Sequence, residues 1–139
     1  MGSENGPVGS IVWTDLTVED AEGVRDFYRS VVGWEADGVD MGGYEDFNLL
    51  NGEGEAVAGV CHARGPNADL PPAWLVYVTV EDVEESARQA REQGGEVVTG
   101  PRGLGEHGRF CVVRDPAGAV LALIEPAAAG QESGDGRGG

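Results

Sequence analysis

Thr17-Val18-Glu19-Asp20 returns sixty-two positions later as Thr79-Val80-Glu81-Asp82, and this recurrence decides the fold. The same offset carries Leu16 onto Val78, Gly33 onto Gly95 and Glu35 onto Val97. A repeat of this length marks two copies of one supersecondary unit. Before each copy lies a run rich in β-branched and aromatic residues, Ile11 to Leu16 and Trp74 to Val78, which predicts a strand. After it the apolar spacing becomes helical, with Ala21, Val24, Phe27, Tyr28, Val31 and Val32 in the first copy and Val83, Ala87 and Ala90 in the second. Asp20 and Asp82 are placed to cap these helices, Glu85 completes a variant capping box, and Gly33 and Gly94-Gly95 stop them.

The rest of each copy reads as short strands between glycine turns, near 34–37, 44–50 and 55–62, then 95–99, 108–114 and 119–125. Here the turns align at an offset of sixty-four, Asn51-Gly52-Glu53-Gly54 on Asp115-Pro116-Ala117-Gly118. That alignment sets Ala58 on Ala122. Each copy is therefore a βαβββ module, 10–63 and 73–126, joined by a Pro-rich linker at 64–72. Residues 10–126 should form one α+β domain, with 1–9 and the Gly-rich tail 127–139 too polar to order.

Nine basic against 25 acidic residues give a formal charge of -16, which repels nucleic acid phosphates and anionic membrane surfaces. No apolar run reaches the roughly 20 residues of a transmembrane helix, and MGSENGPVGS does not read as a signal peptide, so a cytoplasmic protein is expected. Cys61 and Cys111 have no metal or redox spacing and read as small, semi-buried hydrophobes.

VEDAEGVRDFYRSVVGW, VEDVEESARQAREQGGEVV and FCVVRDPAGAVLALIEP together resemble the vicinal oxygen chelate superfamily of glyoxalases, bleomycin-resistance proteins and ring-cleaving dioxygenases. The resemblance implies that the paired modules form a curved mixed sheet around a concave cavity, often shared in a homodimer. It also implies where metalloenzymes of that family carry their ligands: seven residues before the capping Asp and seven after the turn Asp or Asn of each module. Here those positions hold Trp13, Ala58, Leu75 and Ala122, none of which supplies a metal donor. The resemblance thus points to the metal-free, antibiotic-binding branch, with no cofactor and no catalytic residue.

Strand alternation sets Asp15 on the face of Trp13 and Tyr77 on that of Leu75. The family pattern adds Phe110 and Val112; the first module adds Phe47 and Ala58, and the loop GLGEHG contributes His107. The expected ligand-binding set is Trp13, Asp15, Phe47, Ala58, Leu75, Tyr77, His107, Phe110, Val112 and Ala122. Its guest would be a hydrophobic or aromatic small molecule, sequestered as in antibiotic self-resistance, an enediyne or other polycyclic drug being one example. Asp15 could hydrogen-bond that guest, or reach water or a neighbouring Arg. The alternative is a lyase or isomerase with an atypical or metal-free site using Asp15 or His107. His62 has no partner at a catalytic spacing and reads as structural.

Overall fold

The computed structural model describes residues 6–127, so the expectations for 1–5 and 128–139 lie outside the described residues. Its elements follow the βαβββ order twice: β1 Ile11–Val18, α1 Ala21–Val31, β2 Glu35–Asp40, β3 Glu45–Leu50 and β4 Ala56–His62, then β5 Trp74–Thr79, α2 Val83–Glu92, β6 Glu96–Gly103, β7 Arg109–Arg114 and β8 Val120–Glu125. The α+β class and the tandem module pattern are those the repeat predicts. No helix among the described residues is long and apolar enough to cross a membrane. By backbone proximity the described residues divide into one unit of 13–75 and another of 6–12 with 76–127.

In the first unit the strands lie in the order β2-β3-β4-β1, β1 parallel to β4 and the other pairs antiparallel. Helix α1 begins where the Asp20 carboxylate accepts from the Gly23 N–H at 3.0 Å. Its Ala21 is fully buried with Phe47, Leu49, Ala58 and Val60, and Val24, Trp34 and Trp74 pack on this cluster. The outer half of the predicted apolar stripe does not join the core: Phe27, Val31 and Val32 are more than half exposed. Tyr28 turns inward instead, its hydroxyl accepting from Trp74 Nε1 at 3.2 Å and its ring lying 6.0 Å from that of Trp34.

In the other unit β5-β8-β7-β6 repeats the arrangement, β5 parallel to β8. Val83 and Ala87 of α2 are buried against Cys111, Val113 and Leu123. Burial of a valine such as Val83 contributes on the order of 1.5–3 kcal/mol. Asp82 accepts from the N–H groups of Glu84 and Glu85, and Glu125 Oε1 closes the same helix end by accepting from Val83 N at 3.0 Å. Glu85 does not complete the predicted capping box. Its carboxylate is drawn one turn on, to Arg88 and Gln89.

Strand β6 runs four residues further than the sequence suggests, through Gly100-Pro101 to Gly103. Pro101 cannot donate to a ladder, and the β6–β7 register slips on both sides of Thr99 to accommodate it. Gly100 makes this possible: its φ is +86°, and a Cβ there would stand 2.7 Å from the Phe110 carbonyl oxygen.

Candidate functional site

Each module has one sheet face covered by its helix. In residues 76–127 the opposite face is laid out in cross-strand rows. Tyr77 pairs with Ala122 and Ala122 with Val112; Thr79 pairs with Ile124, Ile124 with Phe110, and Phe110 with Arg102. Residues in register share a face, so four of the expected site residues, Tyr77, Phe110, Val112 and Ala122, come together here. Phe110, Val112 and Ala122 are buried and Tyr77 half-buried. Leu75, two residues before Tyr77 on β5, is 1% exposed. His107 sits apart, exposed in the short helical turn Gly105–His107.

Two residues of this face lie outside the expected ligand-binding set, Thr79, which strand alternation places beside Tyr77, and Arg102. The Arg102 guanidinium lies over the Phe110 ring, 4.5 Å from its centroid. The hydroxyl of Thr79, a residue only 3% exposed, has no hydrogen-bond partner among the described residues.

In residues 13–75 the helix-free face carries Asp15 level with Gly59, and Thr17 level with Cys61. A Cβ on Gly59 would meet Asp15 Cβ at 3.3 Å and Trp13 Cζ2 at 3.5 Å, so the indole lies against bare backbone. Burial pushes the Cys61 thiol far above its ordinary pKa, and the Asp15 and Asp46 carboxylates, the latter through a hydrogen bond, push it further. Burial likewise raises Cys111. Neither sulfur is a nucleophile at neutral pH.

Phe47 and Ala58 do not join Trp13 and Asp15. They face the other way and are buried with Ala21 beneath α1. For Ala58 the cause is a register shift in the β3–β4 ladder: Leu49 opposes Ala58 but Leu50 opposes Ala56, leaving Val57 as an extra residue. A one-residue slip turns every later side chain to the other face. Past the bulge the true counterpart of Ala122 is therefore Gly59, paired with Asp15 as Ala122 is paired with Tyr77.

His62, at the end of β4, is held by two carboxylates, its Nδ1 3.3 Å from Asp46 Oδ1 and its Nε2 3.3 Å from Glu22 Oε1. Asp46 also accepts from the His62 backbone N–H at 2.9 Å, and Tyr44 packs edge-on to the ring at 5.4 Å. Arg64 in turn covers Tyr44 at 3.9 Å. This is a clasp joining α1, β3 and β4. An open depression of about 480 Å³ beside α1, lined by Asp26, Arg29, Ser30, Gly33, Trp34 and Glu35, offers mostly polar walls and one aromatic side chain.

With the geometry in place, the class of protein is defined by comparison. The model of the glyoxalase/bleomycin resistance protein/dioxygenase superfamily matches residues 10–123, and the chain belongs to that superfamily. Among curated proteins it is similar to "Putative glyoxylase CFP32" of Mycobacterium tuberculosis, 30% identical over 119 residues, covering 86% of this chain and 45% of that protein. It is also similar to the anthracycline biosynthesis protein DnrV of Streptomyces peucetius, 31% identical over 127 residues, covering 83% of this chain and 46% of the relative. The chain thus spans about half the length of these curated relatives. A solved methylmalonyl-CoA epimerase of Streptomyces coelicolor shares the fold, with a TM-score of 0.53 at 20% identity, covering 88% of this chain and 100% of the other.

Members of the superfamily that use a divalent ion bind it through oxygen or imidazole donors. With the bulge taken into account, the corresponding positions here are Trp13, Gly59, Leu75 and Ala122. An indole, a hydrogen, an isobutyl group and a methyl do not fit such an ion. Among the described residues no group of three or more His, Cys, Asp or Glu side chains is arranged to hold a metal.

Proposed function

We propose that the chain is a cytoplasmic binding protein for a flat, polycyclic aromatic natural product, which it holds without metal chemistry, in the manner of antibiotic self-resistance. The observation that carries this reading is the replacement of the superfamily's four donor positions by Trp13, Gly59, Leu75 and Ala122. Glycine at 59 supports it further, because no side chain stands there beside the Trp13 indole. An offset-stacked guest would gain about 0.5–1.5 kcal/mol per aromatic partner beyond its burial. Asp15, on the same strand face as Trp13, adds a polar group; in residues 76–127 the helix-free face carries the aromatic Tyr77 and Phe110 and the apolar Val112 and Ala122. The likeness to a Streptomyces protein named for anthracycline biosynthesis supports a polycyclic guest over a small aldehyde. As in other members, the working form proposed is a homodimer.

A panel of aromatic antibiotics titrated against tryptophan fluorescence tests the reading. A saturable ligand should be recovered chemically unchanged, with affinity weakened about tenfold by Trp13→Ala. Recovery of an altered compound would move the chain to the enzymes of the superfamily. Elemental analysis of protein purified without added ions should find well under one transition metal per chain, and a stoichiometric ion would overturn the metal-free reading.

A further inference from the structure

Segment 64–72 is a linker by sequence, yet within residues 13–75 it closes a pocket. Strands β1 and β4 run in parallel and end together, Val18 opposite His62, with the Ala63 N–H donating to the Val18 carbonyl at 2.9 Å. The chain leaving β4 makes the short helical turn Gly65–Asn67, where the Ala68 N–H donates to Gly65 O at 3.1 Å and the Leu70 N–H to Asn67 O at 3.2 Å. The turn carries Leu70 inward, leaving it 8% exposed. Against the strand ends this encloses about 260 Å³, with Ala63, Ala68, Leu70 and Pro72 as apolar wall and Thr17 and Glu19 as polar side chains.

Thr17 is 4% exposed, and no hydrogen bond among the described residues engages its hydroxyl. A buried hydroxyl left without a partner is costly, and the pocket is where a partner can reach it. Glu19 is exposed and makes no ion pair among the described residues. No basic side chain lines the pocket, so an anion would meet the Glu19 carboxylate uncompensated. A neutral alcohol has one proton for two acceptors. An ammonium carries three N–H donors, enough to serve both Thr17 Oγ1 and Glu19. The volume equals about nine water molecules at roughly 30 Å³ each, which admits one ring with a short arm and excludes a polycycle.

We propose that this pocket is a separate binding site for a small cyclic amine in its protonated form, its ring against Leu70 and Pro72 and its nitrogen between Thr17 and Glu19. The site does not depend on the aromatic-binding function and stands or falls by its own test.

Titrating the full chain, labelled with nitrogen-15, at pH 7 with cyclohexylmethylamine, cyclohexylmethanol and cyclohexanecarboxylate provides it, since the probes share a ring and differ in the charge of the head group. The amine should shift the amide signals of Val18, Ala63, Ala68 and Leu70 saturably, the alcohol should bind about tenfold more weakly, and the carboxylate should not bind. Glu19→Gln should bring amine and alcohol within threefold of each other, and Thr17→Val should weaken the amine at least threefold. Glu81→Gln removes the same charge at the repeat counterpart of Glu19 and should leave the amine within twofold. Equal affinity for amine and alcohol, or no saturable shift at those amides, overturns the proposal. So does a preference for the amine that survives Glu19→Gln or falls equally in Glu81→Gln, which would assign it to the net charge. Should Thr17→Val not fold, Glu19→Gln, at its exposed position, decides alone.

Discussion

Cys61 shows how one side chain reports the state of its surroundings. Its thiol is buried on the strand beside Asp15 and Asp46, and all three influences hold the proton on. In the unfolded chain the thiol ionises near pH 8.5. The folded pKa lies above the unfolded one, so this contribution to stability is complete below about pH 8.5 and is lost as pH rises beyond it. Chemical denaturation between pH 8 and pH 10.5 should therefore give a declining free energy of unfolding, and Cys61→Ser should flatten the decline. The folded protein should resist iodoacetamide at pH 8 while the unfolded protein reacts at both cysteines; rapid labelling of native Cys61 would contradict the environment described.

The residues of the candidate site were unequally legible, and strand β4 explains why. The repeat and its glycine turns announce both modules, and alternation correctly pairs Trp13 with Asp15. In the second module the β7–β8 ladder is regular, with Val113 opposite Leu121 and Arg114 opposite Val120, so counting from the Asp115 turn finds the right face. In the first module Val57 interrupts the count, and no glycine, proline or charge flags it. Ala58 was assigned to the wrong face for that reason; Phe47, on β3, is turned beneath α1 with Val60, the residue it pairs with. Arg102 was missed because a proline ordinarily ends a strand, whereas here Gly100 absorbs it. Thr79 was legible as a strand residue, but its unpaired hydroxyl is a property of three-dimensional packing. The bulge makes an element-scale prediction. Deleting Val57 would join Ala56 to Ala58 and give β4 the regular pairing of β8, so the variant should keep its circular dichroism spectrum and a single cooperative melt. Deleting Val60 would instead turn Cys61 and His62 over and break the Asp46 and Glu22 clasp. A Val57 deletion that unfolds as readily as the Val60 deletion would refute the register.

At the scale of the whole molecule, charge sets the response to solvent. A formal net charge of -16 on 139 residues places acidic groups within each other's field everywhere on the surface. Ion pairs among the described residues include the exposed ones of Arg88 with Glu85 and Glu92, Arg109 with Glu84 at 2.7 Å, and Arg114 with Glu96 at 3.0 Å. Such pairs contribute about 0–1 kcal/mol each, so screening them costs little, whereas screening the surplus of 25 acidic over nine basic residues relieves repulsion that unfolding would otherwise relax. Raising sodium chloride from 10 to 150 mM shortens the Debye length from about 30 to about 8 Å. The melting temperature at pH 7 should accordingly rise by several degrees over that range and little beyond it. Repeated near pH 4.2, where the net charge vanishes, the same salt series should be flat. A rise that continues in proportion to salt above 500 mM, or that persists at pH 4.2, would assign the effect to apolar burial rather than to charge.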